Sequence, residues 1–399
     1  MSVSDLAAFG SQRELNVQNS QNRVSWAAFA LLVLLLAATA YYSNSWRVTT
    51  LALTGAGIGY VLFQSTFGFA GSFRAALERR DFGGFRAQAY ALAVSSIIFF
   101  PLIAQGEIFG FPLRGNIDPI GVSFVVGAVM FGIGMQIGGG CASGTLFALG
   151  GGNLRLLLTL AFFVVGSAFG AAHIGFWRSL PGLPAASTQD FLGWPVALAV
   201  HLLIFGALIY LIPAPRTDAS ARPAAPSGGV LAALRRPWTL FWGALALAVL
   251  NATTLVLAGR PWGETSGFAL WGSKMAAAIG LDPAQWVYWK AHPQALTNSI
   301  FTDITSVMDF GIILGAALAA GLSMRFEWRG INQASSRAWI GAAAGGLLMG
   351  YGARLSNGCN IGAYFSALAS GSLSAWLWVA AAFVGSFIGL KLRPLLKLP

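Results

Sequence analysis

Cys141 and Cys359 are the only cysteines of this 399-residue chain, and they occupy the same place in a duplicated block. Residues 127–147 read GAVMFGIGMQIGGGCASGTLF, and residues 345–365 read GGLLMGYGARLSNGCNIGAYF. At an offset of 218, seven of 21 columns are identical: five Gly, one Phe and the Cys. A thiol is a weak donor and acceptor whose polarizable sulfur suits contact with another soft atom. A lone cysteine here would read as a small packed residue. Two matched ones, each preceded by Gly, favour a functional pair. There is no C-x-x-C, so neither a dithiol redox centre nor a zinc site is indicated. No metal or cofactor is expected.

The neighbouring glycines suggest how the thiols are held. The run Gly138, Gly139, Gly140 cannot extend a helix cheaply, and it permits turns closed to other residues. Helix is expected to restart at Cys141 or Ala142 and, in the second copy, near Cys359. A helix start presents unpaired N–H groups and a partial positive charge, which suit an anion. The pattern predicts a narrow passage for a small anion, with Cys141 and Cys359 at its constriction and Gly140 and Gly358 beside them.

Other polar residues join this set. Gln136 and Arg354 share one repeat column, five residues before each Cys. Arg354 reads either as an anion attractor or as an interfacial anchor. Asn357 and Asn360 flank Cys359, while Ser143 and Thr145 follow Cys141; they line the passage or cap short helices. Glu264, Thr265 and Lys274 lie in GRPWGETSGFALWGSK. Charged groups at membrane depth are functional candidates, and Glu264 and Lys274 are equally candidates to pair with each other. Asp303 and Asp309 are candidates for proton coupling. His173, His201 and His292 show no ligand spacing and read as packed or interfacial.

The elements that must carry these residues are membrane helices. The chain is 56% hydrophobic and 9% charged, far below the roughly 25% charge of soluble domains. About ten spans are expected, at 25–42, 47–65, 86–105, 118–137, 154–174, 194–213, 237–257, 304–323, 337–353 and 373–390. Four shorter apolar, Gly-rich pieces lie near 67–78, 138–150, 262–280 and 356–370, too brief to cross. The apolar run after the polar residues 1–24 is long for a signal peptide and reads as a retained first span. With the N-terminus inside, 17 of the 24 Lys and Arg fall in cytoplasmic segments, which supports both termini being cytoplasmic. The net charge of +11 is accounted for in this way, and nothing points to nucleic acid.

FGFAGSF at 67–73 resembles WGETSGF at 262–268, and GSAFG at 166–170 resembles GSFIG at 385–389. The reading is an all-α integral membrane protein of two repeats, each with two re-entrant half-helices. Residues 1–24 form a polar tail, 25–42 an extra first span and 47–174 the first repeat. A connecting span at 194–213 and a polar linker at 214–236 lead to the second repeat at 237–390. The repeats are offset by five spans, an odd number, so they must be inverted, a recurring transporter plan with its site near the midplane.

The paired Cys blocks, together with GRPWGETSGFALWGSK and FGFAGSFR, resemble the YeeE/YedE family of sulfur-compound transporters over most of 47–390. The resemblance implies uptake of thiosulfate or a related small sulfur-containing anion across the bacterial inner membrane. It also implies that Cys141 and Cys359 pass the anion along by S–H···S contacts without a covalent bond. Some members carry a third cysteine in the first half-helix, where this chain has Ala70 and Ser72. A separate small cytoplasmic sulfur-carrier protein is the partner the family implies, beside membrane lipid. Two other readings compete: a membrane thiol-redox enzyme cycling a Cys141–Cys359 disulfide, and a channel for another solute such as a selenium compound. No ATP-binding motif is present, so the driving force is not direct ATP use.

Overall fold

The computed structural model describes residues 3–213, 229–328 and 335–396, together with Leu398. Most of the linker expected at 214–236 lies outside these. Helices follow in the order α1 (Val3–Ser43), α2 (Trp46–Ser65), α3 (Phe69–Arg79), α4 (Gly83–Gln105), α5 (Val122–Gly138), α6 (Ala142–Gly150), α7 (Arg155–Arg178), α8 (Thr188–Leu192) and α9 (Trp194–Leu211). They continue with α10 (Gly229–Arg235), α11 (Leu240–Ala258), α12 (Thr265–Ala278), α13 (Gln294–Thr297), α14 (Ile304–Leu322), α15 (Ser336–Leu355), α16 (Ala367–Ala369) and α17 (Ser374–Leu392). A π-helical stretch, Asn360–Ser366, leads into α16. Among the described residues, strand is confined to two pairs of two-residue segments, at 107–112 and at 120–121 with 182–183.

Among the described residues, nine helical stretches are long and apolar enough to cross a membrane. The remaining expected span, 337–353, is α15, which has the necessary 20 residues but is less apolar because Arg337, Arg354 and several glycines lie in it. Arg354 is buried where α15 packs between α5 and α7, and Arg337 is exposed at the start of the helix. By contrast α9 buries only Ala197, His201 and Phe205 and leaves Leu203 and Tyr210 bare, as suits a lipid-facing helix. The stretch expected as a polar tail is helical, since α1 reaches back to Val3.

Helix pairs in the two halves mirror each other. α2 packs on α14 as α11 packs on α4; α15 packs on α7 as α5 packs on α17; α5 meets α15, and α2 meets α11. α1 lies on α14 as α9 lies on α4. The identical glycines of the duplicated block explain this closeness. A Cβ on Gly132 would stand 2.3 Å from the Ala382 carbonyl oxygen of α17, and one on Gly350 would stand 2.1 Å from that of Phe163 on α7. With little hydrophobic drive between helices in lipid, such backbone-to-backbone packing is what holds them together.

Candidate functional site

The chain reaches each thiol by the same backbone path. α5 ends at Gly139, φ +91°, and two residues later Cys141 caps α6 in extended conformation. α15 ends at Leu355, Asn357 takes φ +56°, and two residues later Cys359 caps the π-helical stretch, again extended. Gly and Asn are the residues that take this left-handed turn at least cost. Both thiols are buried and free.

Four helix starts converge on them. The backbone amides of Gly144 and Ala70 are directed at Cys141 Sγ, so the start of α3 meets the start of α6. Ser143 Oγ lies 3.4 Å from the same sulfur. At Cys359, the Ile361 amide donates to Sγ at 3.4 Å, and the Gly362 amide lies close by. Cys359 Sγ in turn donates to Glu264 Oε2 at 3.7 Å, and Glu264 is the residue preceding α12. The Ser143 amide of the other loop lies near that carboxyl. The short helices expected near the four Gly-rich pieces are thus present, with their positive ends directed inward.

A clasp fixes the Cys359 loop. The Trp262 amide donates to Asn251 Oδ1 at 2.8 Å, Asn251 Nδ2 donates to Ser366 Oγ at 3.2 Å, and Ser366 Oγ donates to the Trp262 carbonyl at 2.8 Å. α11, the α12 entrance and the π-helical stretch are thereby held as one body.

Two cavities flank the thiols. The larger, about 510 Å³, is lined by Glu264, Thr265, Arg354, Asn357 and Gly358, and also by Asp118, Arg178, Arg260 and Asp303. The smaller, about 180 Å³, is lined by Ala70, Gln136, Arg74, Arg155 and Arg393. Arg354 is buried and donates to Thr265 Oγ1 and Tyr288 OH, so it is anchored at the larger cavity and does not snorkel to an interface. Its repeat counterpart Gln136 donates to the Ala70 carbonyl at 3.4 Å. Asn360 is fully buried, and neither atom of its amide has a partner.

Two expectations change. Lys274 does not pair with Glu264; it donates to the carbonyls of Leu296 and Asn298 at 2.7 Å each, pinning the loop after α12. Asp303 accepts from the Ser306 amide and hydroxyl at 2.8 and 2.7 Å, so its carboxylate caps α14. Sequence reading missed Asp118, Arg178, Arg260 and Tyr288 at the larger cavity and the three arginines at the smaller one. They come from separate segments, and only Arg260, four residues before Glu264 in GRPWGETSGFALWGSK, and Arg74, which ends FGFAGSFR, fall in quoted motifs. Burial pushes the Asp118 carboxyl, in the loop before α5, up to about 7.

Polar atoms, thiols and helix starts enclosed by span-length apolar helices define a membrane protein with a buried polar cluster. The profile of the sulphur-transport family matches residues 64–388, and the chain belongs to that family. It is 26% identical to the thiosulfate transporter TsuA of Spirochaeta thermophila over 348 residues, 82% of this chain and 92% of that one. With the thiosulfate transporter TsuA of Escherichia coli it shares 24% over 350 residues, 83% of this chain and 90% of the relative. With the probable transporter YedE of Salmonella typhimurium it shares 30% over 172 residues, so the chain matches only 42% of that relative's length. Family and relatives are transporters, not enzymes, and the thiol-redox enzyme reading is set aside.

Proposed function

We propose that the chain takes up thiosulfate, or a closely related sulfur anion, across a bacterial inner membrane. The observation that carries this is the pair of buried thiols, each at a helix start and each ringed by backbone amides, with a cavity on either side. An anion's oxygens would be met by the amides and its terminal sulfur by the thiols. It would pass from the larger cavity by Arg354, Thr265, Asn357 and Gly358 to Cys359, then to Cys141, Gly140 and Ser143. Its exit would be the smaller cavity, by Gln136.

Mirrored helix pairings support two inverted repeats, and α1 and α9 extend them. On this reading α1–α7 form one repeat and α9–α17 the other, each of five long helices, so α1 is not an extra span. With both termini cytoplasmic, the larger cavity opens outward and the three arginines of the smaller one face the cytoplasm. A separate small sulfur-carrier protein would receive the anion there.

Uptake of sulfur-labelled thiosulfate by cells lacking their own importers tests this. The native chain should support uptake, and Cys141→Ala and Cys359→Ala should each abolish it at equal protein level. Retained uptake in the double variant would reduce the thiols to packing. No uptake by the native chain would set thiosulfate aside in favour of another sulfur or selenium compound.

A further inference from the structure

Glu264 stands at the capping position of α12, yet its side chain caps nothing. It is buried, it lines the larger cavity, and Oε1 has no hydrogen-bond partner. Among the described residues no ion pair reaches it. The cations around it are otherwise engaged: Arg260 donates to Thr305 Oγ1 at 2.8 Å, and Arg354 to Thr265 and Tyr288. Arg178 and His292 line the wider cavity.

Apart from the Ser143 amide, the remaining groups facing it are acids. Cys359 donates to its Oε2, and Cys141 lies within its field from α6. From α14, Asp309 faces the first turn of α12, where a Cβ on Gly267 would stand 2.9 Å from Asp309 Oδ2. Asp309 is fully buried, and both of its carboxyl oxygens lack partners. Asp303 and Asp118 line the same cavity.

An anion reaching Cys359 must come beside the Glu264 carboxyl. In a dry interior two negative charges at that separation repel strongly, because little solvent screens them. A proton on the carboxyl removes the repulsion and leaves an O–H able to donate to the anion. Anion and proton then favour each other's binding, and this coupling is reciprocal. We propose that Glu264 is a proton-binding site through which each sulfur anion is carried together with a proton, with Asp309 as a second carboxyl in the same field. This rests on the transport reading above.

The test uses purified full-length chain in liposomes, with labelled thiosulfate outside and a pH dye trapped inside. Thiosulfate should bring protons into the lumen, about one per anion for a single linked site. In Glu264→Gln, any remaining thiosulfate flux should carry no protons. If that variant is silent, Glu264→Asp decides, because it keeps the carboxyl and must restore proton-linked flux. Thiosulfate uptake without protons in the native chain overturns this inference alone. So do protons persisting in Glu264→Gln, or silence of Glu264→Asp. Native vesicles that take up no thiosulfate overturn the transport reading and the inference with it.

Discussion

At Cys141 the chain leaves α5 through Gly139, and at Cys359 it leaves α15 through Asn357; both cysteines then stand, in extended conformation, just before a helical start. Beyond that path the two loops diverge. The Cys141 loop starts a regular nine-residue helix, and its near neighbours are Ser143, Ala70 and Gln136. The Cys359 loop starts a seven-residue π-helical stretch and is surrounded by Glu264, Arg354 and an unpartnered Asn360. The two copies share the turn and the helix start, but the column that holds Arg354 beside Cys359 holds Gln136 beside Cys141. The Cys359 side borders the larger cavity, lined by both acids and arginines, and the Cys141 side borders the smaller one, lined by Arg74, Arg155 and Arg393.

The shared part of the comparison should break most severely. Gly132→Leu and Gly350→Leu each drive a side chain into a facing carbonyl, against α17 and α7 respectively. Overpacking of this kind costs about 1–3 kcal/mol or more, and here the obstacle is backbone that cannot swing aside. Both variants should lose most of their folded yield on size-exclusion chromatography, and to a similar degree. A large difference between them would argue against equivalent crossings.

Divergent columns should give smaller, unequal effects on uptake. Arg354→Gln makes the Cys359 side resemble its counterpart and leaves Thr265 and Tyr288 without their donor. Loss of a charged hydrogen-bonding group is worth about 1.5–3 kcal/mol, so uptake at low thiosulfate should fall roughly ten- to hundredfold. Gln136→Ala removes one neutral bond to the Ala70 carbonyl and should cost only about two- to tenfold. Equal losses in the two would mean that the charge asymmetry has no bearing on capture. Asn360→Ala, which gives that column the residue Ala142 has, should weaken uptake without lowering thermal stability, because no protein partner is lost. A fall in melting temperature would make Asn360 structural.

The long helices were legible because an apolar run of about 20 residues leaves the backbone few other ways to satisfy itself in lipid. The short ones were legible through glycine runs that break helix next to an apolar segment. Thr265 and Glu264 were legible as a polar pair inside such a piece, but their partners were not. Lys274 lies on α12, the helix that Glu264 precedes, yet it turns to the carbonyls of Leu296 and Asn298. Asp118, Arg178 and Tyr288 meet Arg260 at one cavity from separate stretches of chain, and of these only Arg260, four residues before Glu264, left a spacing to read. The π-helical stretch is set by packing and by the Asn251–Trp262–Ser366 clasp, not by propensity.

The smallest expected effect separates the mouth of the larger cavity from its floor. Asp118 lies outside the spans, with a carboxyl raised by burial to about 7. Below that pH it is neutral, and above it the cavity gains a negative charge that opposes an anion. Uptake at low thiosulfate should therefore rise modestly, about two- to threefold, as external pH falls from about 8 to 6, in keeping with one partly screened charge. The sign for stability is the same. A carboxyl whose folded value lies above its unfolded one stabilises the fold at low pH, and that contribution is lost as pH rises through about 7. Asp118→Asn should remove the Asp118 share of both pH dependences while leaving the number of protons carried per anion unchanged. If Asp118→Asn instead removed proton movement, the proton site would belong to the mouth and not to Glu264 beside Cys359.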